Sequence, residues 1–172
     1  MIPTFLGLTI ANLLMLSGVF TLGILVRDGE GVLTDWYTYH ILFAIAAGLM
    51  VVLTHVVTYT YFMATTKWLG AAIDKANLDP ARFHTPSMER KRRVFAIIMT
   101  AIGVTMATMF AGAAADTVGF PVMAHFIAGI TTLVVNLMCA VAEFQCIREQ
   151  GKLMDDALAI INANPNLIVE SA

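Results

Sequence analysis

The stretch Tyr39–Met63, YHILFAIAAGLMVVLTHVVTYTYFM, decides the fold. It contains no Asp, Glu, Lys or Arg, and it exceeds the about 20 apolar residues a helix needs to cross a bilayer core. Three further stretches of similar length and apolar character surround it: Phe5–Val26, Val94–Ala115 and Pro121–Ile147. Composition points the same way. The chain is 59% hydrophobic and 13% charged, with a mean hydropathy of +0.79, whereas soluble domains carry about 25% charged residues. The expected architecture is all-α: an integral membrane four-helix up-and-down bundle, one domain spanning residues 1–172. Four spans and their connections leave no room for a separate soluble domain. Met1–Thr4 carries no basic side chain and the apolar run after it is too long for a signal h-region, so the first span reads as a retained helix.

Charge orients the bundle. Of the ten Lys and Arg residues, all but Arg27 fall on one side: Lys67, Lys75, Arg82, Arg90, Lys91, Arg92, Arg93, Arg148 and Lys152. The positive-inside rule then places both termini, the 64–93 loop and the 148–172 tail in the cytoplasm. The expected location is the inner membrane of a bacterium. Arg90–Arg93 directly precedes a span, where a basic cluster acts as a topology anchor, so no nucleic-acid partner is expected. Trp36, Tyr37 and Tyr39 mark the outer entry of span two and Trp68 its inner exit. Asp28-Gly-Glu-Gly31 and Thr117–Pro121 are turn chemistry, and such short connections imply antiparallel neighbours. Within the longer loop, Lys67–Asn77 repeats apolar residues at helical spacing (Trp68, Leu69, Ala72, Ile73, Ala76), which predicts a surface helix at the headgroups closed by Pro80. Span four is expected to continue as helix through Leu153–Ile161, with Pro165 ending regular structure.

Polar groups in hydrocarbon are costly and face the bundle interior, so those present are the candidate functional residues. Span four carries His125, Asn136 and Glu143 on one stripe at about 100° per residue. Asn136 reads first as interhelical glue. Glu143, near the cytoplasmic end, reads as a snorkelling side chain or a partner for Arg148, with a proton-relay role the less favoured alternative. His40 lies just inside the outer end of span two and His125 about one turn inside the outer end of span four. The two share a level. In an up-and-down bundle, spans two and four are diagonal and parallel, so a planar ligand between them could be held from both sides. Neutral imidazole is a good axial donor to haem iron, and the apolar bundle supplies a dry setting. Gly23 and Gly112 fall at the same level and would leave room beside the macrocycle, as they would for close helix packing.

On this topology and these two histidines, the four spans resemble the four-helix membrane bundles of b-type cytochromes, including quinone-reactive cytochrome b and related anchor subunits. The resemblance implies one haem b with His40 and His125 as axial ligands and Gly23 and Gly112 flanking the ring. Two-haem members place a second histidine about four turns along each donor helix. Here the second position of span four is Cys139, and His55 is rotated about 60° from His40, so a second haem is not implied. His55 with Tyr59 forms a secondary polar position, together with Asn136 and Glu143; it lines a quinone pocket or bonds across helices, the latter being the default.

The functional expectation is a small b-type haem protein, or haem-bearing subunit, passing electrons between quinone and a partner. Two alternatives stay open: a non-catalytic accessory subunit of a larger membrane complex, and a small oligomeric channel or transporter lined by the span-four stripe. Expected partners are lipid and either other membrane subunits or further copies of the chain. The eleven methionines, Met99, Met106 and Met109 among them, raise copper binding, but they read as gap-filling side chains. Cys139 and Cys146, on one helix, offer neither a disulfide framework nor a CxxC metal site. No phosphate loop, zinc motif, nucleophile elbow or catalytic carboxylate pair is present, so at most the chain is an electron-transfer subunit of an oxidoreductase. Reporter fusions test the orientation: a C-terminal reporter and one at His84 should signal from the cytoplasm, and one at Asp116–Gly119 from outside. An external signal at the C-terminus would overturn it.

Overall fold

A computed structural model describes residues 1–27, 30 and 32–163. Asp28, Gly29 and Gly31 of the expected first turn, and residues 164–172 with Pro165 among them, lie outside the described residues. Four helices follow one another: α1 (Ile2–Leu25), α2 (Trp36–Ala76), α3 (Pro80–Thr117) and α4 (Val122–Ala163). All four are long and apolar enough to cross a membrane. Each packs against its sequence neighbour, and α4 closes the ring against α1. α2 and α4 also meet across the middle.

The outward faces are as apolar as the inward ones. Leu14 (68%), Leu49 (67%), Phe110 (68%) and Met138 (66%) are exposed on the bundle surface. A helix hydrophobic all round suits lipid or the interior of a large protein. Inward, narrow stripes do the packing. Phe5, Thr9, Asn12 and Leu16 of α1 recur every three or four residues, the spacing that keeps one face toward its neighbours. One buried layer joins Phe5, Phe62, Val94, Ile98, Cys146 and Ile147; another joins Leu16, Ala47 and Val51.

The structure differs from the sequence expectation in the 64–93 region. Residues 67–77 are not a separate helix on a headgroup surface; residues 67–76 continue α2 without a break, and α3 begins at Pro80. Asn77 adopts the left-handed conformation (φ 47°, ψ 42°) that ends helices. Asp79 then caps α3, its carboxylate accepting from the Ala81 N–H at 2.9 Å, and Pro80 occupies the first turn, where no N–H is needed. The apolar face expected at the headgroups is buried instead. Leu69, Ala72, Ile73 and Ala76 pack with Leu78, Phe83 and Ala157, and Leu153, Met154, Ile160 and Ile161 of α4 cover them. Amphipathic spacing is the same for both fates, and the presence of a partner helix decides between them. α2, at 41 residues, is about 60 Å long against a hydrocarbon core of about 30 Å.

Below the apolar layer lies a buried polar knot. Gln150 donates to Thr65 Oγ1 (3.1 Å) and Ser87 Oγ (2.8 Å), and the Thr66 and Ser87 hydroxyls share a 2.8 Å hydrogen bond. It ties α2, α3 and α4 together where the long extensions begin. Phe62 is fully buried just above it. Phe62→Ala should cost about 3–5 kcal/mol, read as a lowered unfolding midpoint in detergent, whereas outward-facing Leu49→Ala should change stability by about 0.5 kcal/mol or less.

Candidate functional site

His40 enters the bundle on the second turn of α2, held by the connection from α1. Thr34 secures that connection, its N–H donating to Val26 O at 2.8 Å and its hydroxyl to Leu25 O at 2.7 Å, beside an antiparallel bridge of Arg27 with Leu33. On the other side, Gly119 takes a positive φ of 72°, which a side chain would strain, and it lets α3 turn back into α4 within a few residues. His125 follows on the first turn of α4, its N–H bonded to Pro121 O at 3.3 Å. The short turns set both histidines at one level.

Their imidazoles meet across the bundle. The ring centres are 6.3 Å apart, with the planes at 79°. His40 Nδ1 lies 3.1 Å from Val19 O, a contact that requires the proton on Nδ1 and leaves the Nε2 lone pair available. His125 Nδ1 is buried and has no hydrogen-bond partner among the described residues. A cavity of about 140 Å³ lies inward of the pair, lined by Phe20, Ala44, Gly48, Met109 and Thr132 among others. A second, of about 440 Å³, opens outward past Arg27, Tyr37, Gly112 and Asp116. Gly23, His40, Val122, His125 and Phe126 line both, so the two spaces adjoin at the histidines.

Each glycine stands beside one imidazole. A Cβ on Gly23 would lie 3.1 Å from His40 Cε1, and one on Gly112 would lie 2.8 Å from His125 Cε1. The small residues of α1 and α3 thus make room for the rings of α2 and α4. At the mouth, the Tyr37 hydroxyl donates to Asp116 Oδ2 at 2.9 Å, and that hydrogen bond holds the phenol above its ordinary pKa. Of the three span-three methionines, Met109 lines the inner cavity, while Met99 and Met106 face outward.

The secondary polar residues separate into distinct contacts. Asn136 donates from Nδ2 to Thr105 Oγ1 of α3 at 3.2 Å. Tyr59 turns to Phe95, with ring centres 5.5 Å apart. His55 turns instead to Glu143, with Nδ1 to Oε1 at 2.9 Å. Glu143 is therefore neither snorkelling nor paired with Arg148: it is 1% exposed, one face further round α4 from the exposed Arg148. The knot around Gln150 is absent from the sequence expectations. Its signal is there, because Asn136, Glu143 and Gln150 repeat at seven-residue spacing, and only a membrane edge set at Ile147 hides the last of them.

Among the described residues, no group of three or more His, Cys, Asp or Glu is placed to hold a metal ion. Two imidazoles make an incomplete set for a bare ion but a complete axial set for a haem iron, whose remaining ligands come from the porphyrin. No family model matches the sequence, and neither a curated protein nor a solved structure matches the chain. Gly112→Val should displace the His125 ring and disturb whatever the pair binds, while Gly7→Val, with nothing within 4 Å of a Cβ, should not. The histidine ring protons in nuclear magnetic resonance spectra of the detergent-solubilised protein would report the difference.

Proposed function

We propose that the chain is a small b-type haem protein of the membrane, carrying electrons between quinone and a partner, with His40 and His125 as the axial ligands. The observation that carries this reading is the facing pair of imidazoles at 6.3 Å. Two metal–nitrogen bonds of about 2.0–2.1 Å each, with a metal between the rings, put the ring centres roughly 6 Å apart. An axial imidazole can rotate about its bond to the metal, so the 79° between the planes is compatible with shared ligation.

The surrounding residues suit the role. Val19 O fixes the His40 tautomer and so leaves the Nε2 lone pair available. Gly23 and Gly112 give the two rings their space. Phe20, Phe126, Ala44 and Met109 give the inner cavity an apolar lining, which holds down the local dielectric. Arg27 lines the outer opening, where a cation complements the acidic edge groups of a haem. When bound, the haem supplies a one-electron carrier whose potential is tuned by its axial ligands and by burial.

In this reading the basic end, with both termini, faces the cytoplasm of a bacterium and the histidine pair lies near the outer face of its inner membrane. Partners would be other membrane subunits or further copies of the chain. A reduced-minus-oxidised difference spectrum of the purified protein should show the bands of a six-coordinate b-type haem. His40→Ala and His125→Ala should abolish or shift them, while His55→Ala and Asn136→Ala should leave them in place. Loss of the bands in His55→Ala with retention in His40→Ala would move the haem toward the basic end.

A further inference from the structure

His55 and Glu143 have no part in that site. By helical rise they lie roughly 20–27 Å from the histidine pair along their helices. His55 is 3% exposed and Glu143 1%. Their 2.9 Å contact is short, yet the oxygen lies off the line of the ring N–H, and His55 Nε2 and both Glu143 oxygens have no aligned hydrogen bond among the described residues. Two bare lone pairs repel, so an approach this close places a proton either on His55 Nδ1 or on the Glu143 carboxyl. In a low-dielectric interior, a separated charge pair and an unpaired carboxylate are both costly.

The polar face of α4 continues on either side. Toward the histidine cavity, Asn136 bonds Thr105, which itself lines that cavity. Toward the basic end, Gln150 holds the knot with Thr65 and Ser87, and its Oε1 is buried and unpartnered among the described residues. Asn136, Glu143 and Gln150 stand at seven-residue intervals, steps of about 10 Å, each 3% exposed or less. Few other ionisable groups approach. α1 contains none. α2 adds Tyr59, tilted against Phe95, and Tyr61, edge-on to Phe62. Arg90 and Arg93 of α3, with Glu149 of α4, reach Cys146 electrostatically one turn beyond Glu143, and Cys139 lies one turn before it.

We propose that His55 and Glu143 form a proton-binding site inside the bundle, loaded from the basic end along the α4 face that carries Gln150. Uptake transfers a proton from hydronium to a Glu143 carboxylate oxygen: an O–H bond of hydronium breaks, a carboxyl O–H bond forms, water is released, and the pair becomes neutral with the Nδ1–H of His55 still facing the carboxyl. Release reverses the step. Neither direction needs an oxidant or reductant, and the site stands whether or not haem is bound.

Infrared difference spectra of the full-length protein in lipid vesicles, with pH stepped between about 5 and 8, test it. A protonated-carboxyl band should grow as pH falls, shift in heavy water, vanish in Glu143→Gln and persist in Glu149→Gln. His55→Asn, which keeps the carboxyl, should move the band's midpoint by about one pH unit or more, and it serves as the test where Glu143→Gln does not fold. Gln150→Leu should slow the band's rise after a pH jump by at least about tenfold. Absence of a titrating band, or its survival in Glu143→Gln, overturns the site; an unchanged rate in Gln150→Leu overturns the route.

Discussion

Among four helices long and apolar enough to cross a membrane, a buried polar side chain has no water to fall back on, and the arrangement of this bundle follows from how each one is answered. Some threonines answer locally. Thr54, Thr58 and Thr100 return their hydroxyls to the carbonyl four residues back on their own helix, at 2.8–2.9 Å, and by those bonds set no relation between helices. Residues that cannot fold back must reach across. Thr108 and Thr132 join α3 to α4 at 2.6 Å, Asn136 adds a second tie between them, and His55 with Glu143 joins α2 to α4 along the diagonal. These few crossings fix the rotation of each helix about its axis, which apolar packing alone leaves loosely determined when the outside is equally apolar.

That division gives the molecule two unlike layers. Around His40 and His125, small residues and short turns hold the helices far enough apart for cavities to adjoin the rings. Around His55 and Glu143, the imidazole and carboxylate are in direct contact, between Cys139 and Cys146 on one helix and Thr54 and Thr58 on the other. A cavity favours a guest with surface to bury; direct contact favours an exchange between the two groups themselves. The same residue type, on the same helix, therefore supports different chemistry according to the size of its neighbours.

The four apolar stretches and the shared level of His40 and His125 are legible in the sequence, because span length and helical rise are local quantities. Glycine as a neighbour of each histidine is legible for the same reason. What escapes is set by distant residues. Trp68, Leu69 and Ile73 carry a pattern that a headgroup surface and a helical partner satisfy equally; Leu153–Ile161, far along the chain, turn it into a core. Glu143 looks peripheral when the membrane edge is drawn at Ile147, whereas α4 runs unbroken to Ala163. A carboxylate judged by its distance from a chain boundary is in fact placed by a histidine on another helix.

The tight turn from Asn77 to Asp79 bears on how this protein meets others. α1 reaches only to the Phe5 and Phe62 layer, but α2, α3 and α4 run on, forming a three-helix stalk that projects roughly 15–25 Å further at 1.5 Å per residue. It acts as a spacer: whatever grips its tip is held at a fixed stand-off from the apolar slab. It is also continuous with the histidine layer, since two of the helices at its tip carry His40 and His125 at their far ends, and the helical backbone is unbroken from Trp36 to Ala76 and from Val122 to Ala163.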